Sequence, residues 1–498
     1  MLSFLVWLPI VGALIVTCLP NKNPQLTRTT SLAISTLAFL LSLLLISSYD
    51  FQLQGIQLTE FLPWIEVLGL NYNLGIDGLS LPLIVLNNLL ICLAIYSCDI
   101  GQKDDNILAR PKLFYSLILI LAGCINGALL SQNLLLFFIF YEVKLIPTYL
   151  LINIWGGENR GYAGTKYLLY TAFSGIFVLA AFLGIVFLTN SSFDYELVQT
   201  QILPFSKQLI LLITLIVGFA IKTPLVPLHT WLPDAYTESS TPVSMILSGI
   251  LSKIGTYGLI RFGLGLFPQL WNSVAIWLAA IATVSALYAS FVAISQTDLK
   301  KMVAYSSIAH IAFVVLATAA GTSIAISGAI CQMFAHGLIV ALLFYLVGVV
   351  ENKTGTRDLN VLNGLMNPQR GFPVIGGLTI LAVMASAGIP GMVGFVGEYI
   401  SFQGSFTVFP TLTILCLIAT GLTSVYFVIL LNKVFFGKID CRQTPAVYPQ
   451  VKSTERLPAL ILAILIVILG VQPAWLTNLT EFSIIASHPI NTTIVAQK

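Results

Sequence analysis

The stretch IVGFAIKTPLVPLHTWLPDA, residues 216–235, sets Lys222 inside an apolar run, follows it with Pro224 and Pro227, and then reaches His229 and Asp234. An ammonium beside two helix breakers needs a reason, and that reason depends on the surroundings. Hydrophobic residues make up 57% of the 498-residue chain and charged residues only 9%, against about a quarter charged in a soluble domain. Apolar runs of about 20 residues, the length that crosses a hydrocarbon core, recur along the chain. The fold class expected is an all-α polytopic membrane protein.

Working outward from residue 222, fourteen spans are expected, roughly at 1–19, 29–48, 79–98, 113–130, 134–154, 165–188, 208–228, 241–264, 273–295, 302–318, 324–350, 372–408, 411–436 and 457–477. The first run, MLSFLVWLPIVGALIVTCL, has no Lys or Arg ahead of it and no small-residue cleavage site after it, so it is expected to be a retained span and not a signal peptide. The connections are short; the longest polar-leaning ones are 49–78, 189–207 and 437–456. If the spans alternate, seventeen of the 23 Lys and Arg residues fall in odd-numbered loops, among them Lys22, Lys103, Lys166, Lys300, Lys301, Lys353, Arg357 and Arg442. The even side keeps Lys207, Arg261 and Lys498. Cytoplasmic loops collect Lys and Arg, so both termini are expected on the periplasmic or lumenal side.

A second span is interrupted in the same way. In ASAGIPGMVGFVGEYISF, residues 385–402, Gly388, Pro390, Gly391 and Gly394 precede Glu398. Paired interruptions about five spans apart mark an internal repeat, and five being odd, the second copy would be inverted. The expected organisation is N-terminal helices over 1–111, a first five-helix repeat over 112–267, a second over 268–436, and a C-terminal loop, helix and tail over 437–498. Two ordinary proline kinks would explain the breakers but not the charges beside them.

The spans hold Glu142, Lys144, Lys222, Lys253, His310, His336 and Glu398. Each Lys or Asp at a helix centre costs about 2.5–3.5 kcal/mol on the insertion scale, so these groups must face the bundle interior, water or one another. Buried amines release protons readily, and lysines repel alkali cations; Lys, His and Glu spaced among Ser, Thr and Tyr suit proton passage. Judged singly, His310 and His336 fit a structural role as well as a relay. Lys253 could snorkel to the surface, although apolar flanks oppose it. Glu142 and Lys144 lie two residues apart and point away from each other on a helix, so each needs a partner elsewhere. His229 and Asp234 are better explained as a polar turn capping the helix near Ser240 and Thr241 than as a proton entry. His488 is expected to be ordinary surface.

Other chemistry is missing. The seven cysteines are scattered, without zinc or iron–sulfur spacing. GIPGMVGFVG lacks the Lys-Ser/Thr of a phosphate loop, and no nucleic-acid patch is present. No cofactor is expected on this chain.

The segments KTPLVPLHTWLPDAYTESSTPVSMILSGILSKIGTYGLIR (222–261), DLKKMVAYSSIAHIAF (298–313), QMFAHGLIVALLFYLVG (332–348), TRDLN (356–360) and GIPGMVGFVGEYISF (388–402) resemble the antiporter-like membrane subunits of respiratory complex I and the photosynthetic NDH-1 complex, in particular the chain 4 (NdhD, NuoM-like) class. The resemblance implies fourteen helices with two inverted five-helix repeats. It implies proton translocation driven by electron transfer to quinone, with quinone, iron–sulfur clusters and the electron donor in partner subunits, and a second antiporter-like subunit among the neighbours. It matches Glu142, Lys222, Lys253, His310, His336 and Glu398 to the relay of that class; Lys144, His229 and Asp234 are candidate modulators outside that match. The plastid-type form reads WELELIP where this chain has YEVKLIP. That departure suggests a specialised cyanobacterial paralogue of the thylakoid membrane, serving inducible CO2 uptake with a carbonic-anhydrase-like partner. The competing functions are an Mrp-type cation/proton antiporter subunit, which would exchange Na⁺ for H⁺ without redox partners, and a pure scaffold.

Overall fold

A computed structural model describes residues 1–20, 23–53, 55–98, 110–439, 445 and 447–479; Lys22, Lys103, Arg442, His488 and Lys498 lie outside them. The helices are α1 (Leu2–Cys18), α2 (Pro24–Ser48), α3 (Ser80–Ser97), α4 (Pro111–Leu130), α5 (Leu134–Trp155), α6 (Arg160–Thr189), α7 (Phe205–Lys222), α8 (Trp231–Glu238), α9 (Thr241–Leu264), α10 (Pro268–Ser295), α11 (Leu299–Ala320), α12 (Ser323–Thr354), α13 (Pro373–Ser386), α14 (Val393–Phe406), α15 (Pro410–Phe435) and α16 (Ser453–Val471). Among the described residues, twelve helices are long and apolar enough to cross a bilayer, while α1 and α13 are shorter apolar helices of 17 and 14 residues. The protein is a multi-pass integral membrane protein. The stretch at 372–408 is two helices in series, α13 and α14, and the opening stretch runs from α7 through residues 223–230 into α8.

Burial sorts these helices into an inner and an outer set. Every residue in the most apolar windows of α9 and α12 is buried, against 28% in α2 and 33% in α16. Outer helices turn large apolar side chains outward, such as Phe187 on α6 and Trp277 on α10, which suits contact with lipid. All-round apolar helices belong in such a core, and the inner ones carry Lys253, His310 and His336. Ordinary signals set their ends. The Thr322 side chain accepts from Ala325 N–H to start α12, and Gly355, at φ +75°, ends it.

Two expectations are corrected. The connection at 49–78 holds an antiparallel hairpin, β1 (Gln57–Ile65) and β2 (Leu70–Ile76). Its apolar residues do not alternate: Phe61, Leu62, Trp64 and Ile65 are all exposed, so no period-two face betrays the strands. Arg261, expected in a loop, lies inside α9, where its guanidinium meets Asp77 at 2.6 Å with both side chains largely buried. A buried guanidinium needs such a partner, and Asp77, three residues before the start of α3, is 184 residues from Arg261, too far in sequence for the pairing to be foreseen.

Candidate functional site

Lys222 is the last residue of α7 and is 1% exposed. Pro224 and Pro227 end the helix there, because neither has an N–H to donate. Side chains satisfy backbone groups around the break: Trp231 Nε1 donates to Ile221 O at 2.8 Å, and Val226 N–H donates to Ser285 Oγ at 2.9 Å. Opened backbone is tolerated at membrane depth only where protein or water meets its polar groups. The Lys222 ammonium itself has no hydrogen-bond partner among the described residues and lies 4.4 Å from the centre of the Tyr141 ring.

Tyr141 turns out to be the hub of this end. Lys144, fully buried, donates to Tyr141 O at 2.9 Å and places its ammonium 3.8 Å from the same ring centre. Two ammonium groups thus share one π-face system, each contact being of the order of 0.5–2 kcal/mol. The Tyr141 hydroxyl and Ser174 Oγ are 2.8 Å apart, and Ser174 in turn donates to Gly218 O, so the ring is tied to both α6 and α7. Glu142 points away from Lys144. Its carboxylate seats over Gly175 of α6, where a Cβ would collide with it, and Oε1 has no hydrogen-bond partner among the described residues. Lys222 and Lys144 are the charges it feels. Two amines therefore act on one carboxylate.

From Lys222 the row continues into the second half of the chain. Gly255 of α9 abuts the backbone of Lys222 and Thr223, so close that a Cβ there would touch Thr223. Two residues before Gly255, Lys253 is 1% exposed and donates to Ser248 O at 2.5 Å. That bond turns the side chain inward; it does not snorkel. His336 of α12 lies within electrostatic reach of both Lys253 and His310. The two imidazoles stack with centres 5.5 Å apart and planes 19° apart. His310 Nδ1 faces Ser306 O at 2.8 Å, and Nε2 faces both Ser386 O at 3.0 Å and Glu398 Oε1 at 3.3 Å. Both ring nitrogens thus meet oxygen acceptors, which a ring carrying two N–H donors satisfies. Glu398 sits beyond the second break, with Oε2 over Gly388 at φ +68°. The spatial order is Lys253, His336, His310, Glu398, reversing the two histidines relative to the sequence.

Residues 131–423 match the family model described as NADH:quinone oxidoreductase/Mrp antiporter, transmembrane. The chain belongs to this family. A relative from a Nostoc species, NAD(P)H-quinone oxidoreductase chain 4 1, is 37% identical over 489 residues, covering 96% of this chain and 89% of its own length. A chain of respiratory complex I from Thermus thermophilus superposes with a TM-score of 0.84 at 26% identity, covering 98% of this chain and all of that one. A chain of the Mrp complex of a Dietzia species shares the fold, with a TM-score of 0.85 at 18% identity.

Against the family pattern, two of the expected modulators stand apart from the row. Asp234, on α8, pairs with Lys166 of α6 at 2.7 Å, both half-buried. His229 lies in the break, 4% exposed, edge-on to Tyr288 at 5.2 Å. The capping role expected there is not made: Ser240 stands at the N-cap of α9 without a side-chain capping bond. Tyr141 and Gln332 were missed. Tyr141 adjoins Glu142 in sequence, and an aromatic followed closely by two intramembrane charges, Glu142 and Lys144, is a readable signal. Gln332, 1% exposed, lies one turn before His336 and against Gly397, with Oε1 unpartnered among the described residues; nothing in the sequence sets it apart.

Proposed function

We propose that this chain is a proton-pumping membrane-arm subunit of an NAD(P)H- or ferredoxin-dependent quinone oxidoreductase of the NDH-1 type, and that protons cross it along Glu142, Lys222, Lys253, His336, His310 and Glu398. The observation that carries the proposal is the set of buried ionisable groups that ends in the linked His336, His310 and Glu398. Six ionisable side chains sit on six buried or broken spans, and the last three are linked by the His336–His310 stack and the 3.3 Å His310–Glu398 contact. Intramembrane ionisable residues that pair with one another mark ion pathways. The electron donor, iron–sulfur clusters and quinone belong to partner subunits, and a second antiporter-like subunit adjoins the chain. The broken spans stand fourth in the blocks 112–267 and 268–436, which we take as inverted repeats within a fourteen-span core.

In the pump cycle, Glu142 holds the proton on Lys222. A change of charge along the membrane arm loosens that hold, and the proton passes through water to Lys253, over the two imidazoles and onto Glu398, which releases it on the far side. Lys144 tunes the first step by competing with Lys222 for Glu142. The face with the basic loops is the cytoplasmic or stromal one, and both termini lie on the lumenal or periplasmic side of a cyanobacterial thylakoid membrane. The lysine in YEVKLIP favours the form of the complex that works with a carbonic-anhydrase-like CO2-uptake protein.

Replacing Lys222 by Ala tests the row. Proton uptake driven by quinone reduction should vanish in vesicles while the complex still assembles; undiminished uptake overturns the assignment. Co-purification of a zinc-binding soluble partner tests the CO2-uptake form.

A further inference from the structure

Three buried polar atoms around Glu398 lack partners. Gln332 Oε1 and His336 Nδ1 on α12, and Ser401 Oγ on α14, have no hydrogen-bond partner among the described residues, although all three side chains are almost wholly buried. Buried polar groups are nearly always bonded, so three orphans at one helix contact call for an explanation. Gln332 lies four residues before His336, on the same face of α12. Its amide oxygen and backbone abut Gly397, the neighbour of Glu398, and Gly328, one turn earlier on α12, abuts the backbone of Ser401. Glycines thus let α12 and α14 meet closely and bring the amide beside Glu398. Because α12 runs toward Lys353 on the face of the basic loops, Gln332 lies farther from that face than His336, and Ser401 farther than Glu398.

What Glu398 asks of its surroundings changes with its proton. As a carboxylate it only accepts hydrogen bonds, and it faces His310 Nε2 at 3.3 Å. As a carboxylic acid it carries an O–H donor and is no longer drawn to an imidazolium by charge. The oxygen of Gln332 is an acceptor without a donor, which a carboxylate cannot satisfy and a carboxylic acid can. On its other sides Glu398 meets His310 of α11 and, within electrostatic reach, Tyr426 of α15, whose hydroxyl is engaged with Thr423 at 3.0 Å. Both residues flanking the carboxyl are glycines, Gly388 under Oε2 and Gly397 beside Gln332, so no Cβ obstructs its rotation between His310 and the amide.

We propose that Gln332 is a latch for protonated Glu398: its amide oxygen accepts the new O–H, draws the carboxyl off His310 and turns it toward Ser401. This rests on the proton-pump function proposed above. In the loading step the His310 Nε2–H bond breaks, an O–H bond forms at Glu398 Oε1, and imidazolium and carboxylate both become neutral. Nε2 is left as an acceptor, with the Ser386 hydroxyl 3.5 Å away to donate to it. The carboxyl then rotates to Gln332, and that bond keeps the proton from returning to His310. When water on the far side takes the proton as hydronium, the carboxylate loses its hold on the amide and returns to the next imidazolium. Gln332 is a positioning residue, since it holds the acid without itself gaining or losing a proton.

The experiment uses the intact complex in sealed vesicles and reads two quantities, proton uptake per quinone reduced and the redox-induced infrared difference spectrum. The carboxylic C=O band that Glu398→Gln removes belongs to protonated Glu398. In the wild type that band should lie below the position of a free carboxyl. Gln332→Leu, which removes the acceptor, should raise the band and lower uptake about tenfold, the equivalent of one lost hydrogen bond. The latch is overturned if either readout in Gln332→Leu matches the wild type; a merely structural role for Gln332 would lower uptake and leave the band in place. If Glu398→Gln stops pumping while Gln332→Leu pumps normally, the latch falls and the relay stands. If Glu398→Gln itself pumps normally, the relay is overturned. Should Gln332→Leu fail to assemble, the wild-type spectrum decides, because a band at the free-carboxyl position, or no band that Glu398→Gln removes, overturns the latch.

Discussion

At the scale of single residues, one carboxylate and two amines around Tyr141 control the entrance to the row. Lys144 is the unusual member, and its effect follows from Coulomb's law: two unit charges 4 Å apart at an effective dielectric constant of 20 interact by about 4 kcal/mol. Removing one amine leaves Glu142 to hold Lys222 alone. Lys144→Ala should therefore slow proton release from Lys222, lowering quinone-driven uptake about tenfold, a coupling of roughly 1.4 kcal/mol; Lys144→Arg, which keeps the charge, should come closer to wild type. Gly175 is the complementary probe, because a Cβ there would strike the Glu142 carboxylate. Gly175→Ala should displace that carboxylate, cost about 1–3 kcal/mol in overpacking and impair pumping in the assembled complex. The double variant Gly175→Ala/Glu142→Asp, with its shorter acid, should regain part of the uptake. The intramembrane charges themselves stood out in the sequence, since ionisable groups in apolar runs are few. That Tyr141 joins two of them did not, because residue spacing says nothing about which ring a flexible lysine reaches.

At the scale of elements, the two interruptions place charge where the helix has opened. The break after Lys222 is held by side chains from elsewhere: Trp231 covers Ile221 O, and Ser285 of α10 covers Val226 N–H. Ser285→Ala should leave that N–H without its partner, at a cost of about 1–3 kcal/mol, visible as a lower Tm of the solubilised complex; Ser285→Thr should retain the bond and the Tm. Prolines and glycines announced both breaks, because their backbone chemistry acts locally. The hairpin β1–β2 went unannounced, since its exposed apolar residues follow no period, and Arg261 was assigned to a loop because its partner Asp77 is 184 residues away.

At the scale of the whole molecule, the Asp77–Arg261 pair joins the N-terminal helices to α9 and hence to the row. Both side chains are about nine-tenths buried, so breaking the pair strands a charge, and removal of one partner of a buried pair costs about 3–5 kcal/mol. Asp77→Leu alone should destabilise the chain and deplete it from the assembled complex, as measured by subunit content; Asp77→Leu/Arg261→Leu should restore much of the loss, because no buried charge remains. The sequence by itself determined that the chain is a helical membrane protein, that two of its spans are broken, and that Glu142, Lys222, Lys253, His310, His336 and Glu398 lie within the spans. Those properties follow from composition, periodicity and the local effect of proline and glycine. Only the tertiary structure decided which charges meet: that Lys144 and Lys222 converge on Tyr141, that His336 precedes His310 on the way to Glu398, and that Arg261 belongs to Asp77. The cost of burying a charge obliges each to find a partner, but that partner comes from whichever helix packs alongside, and helix packing is a property of the whole fold.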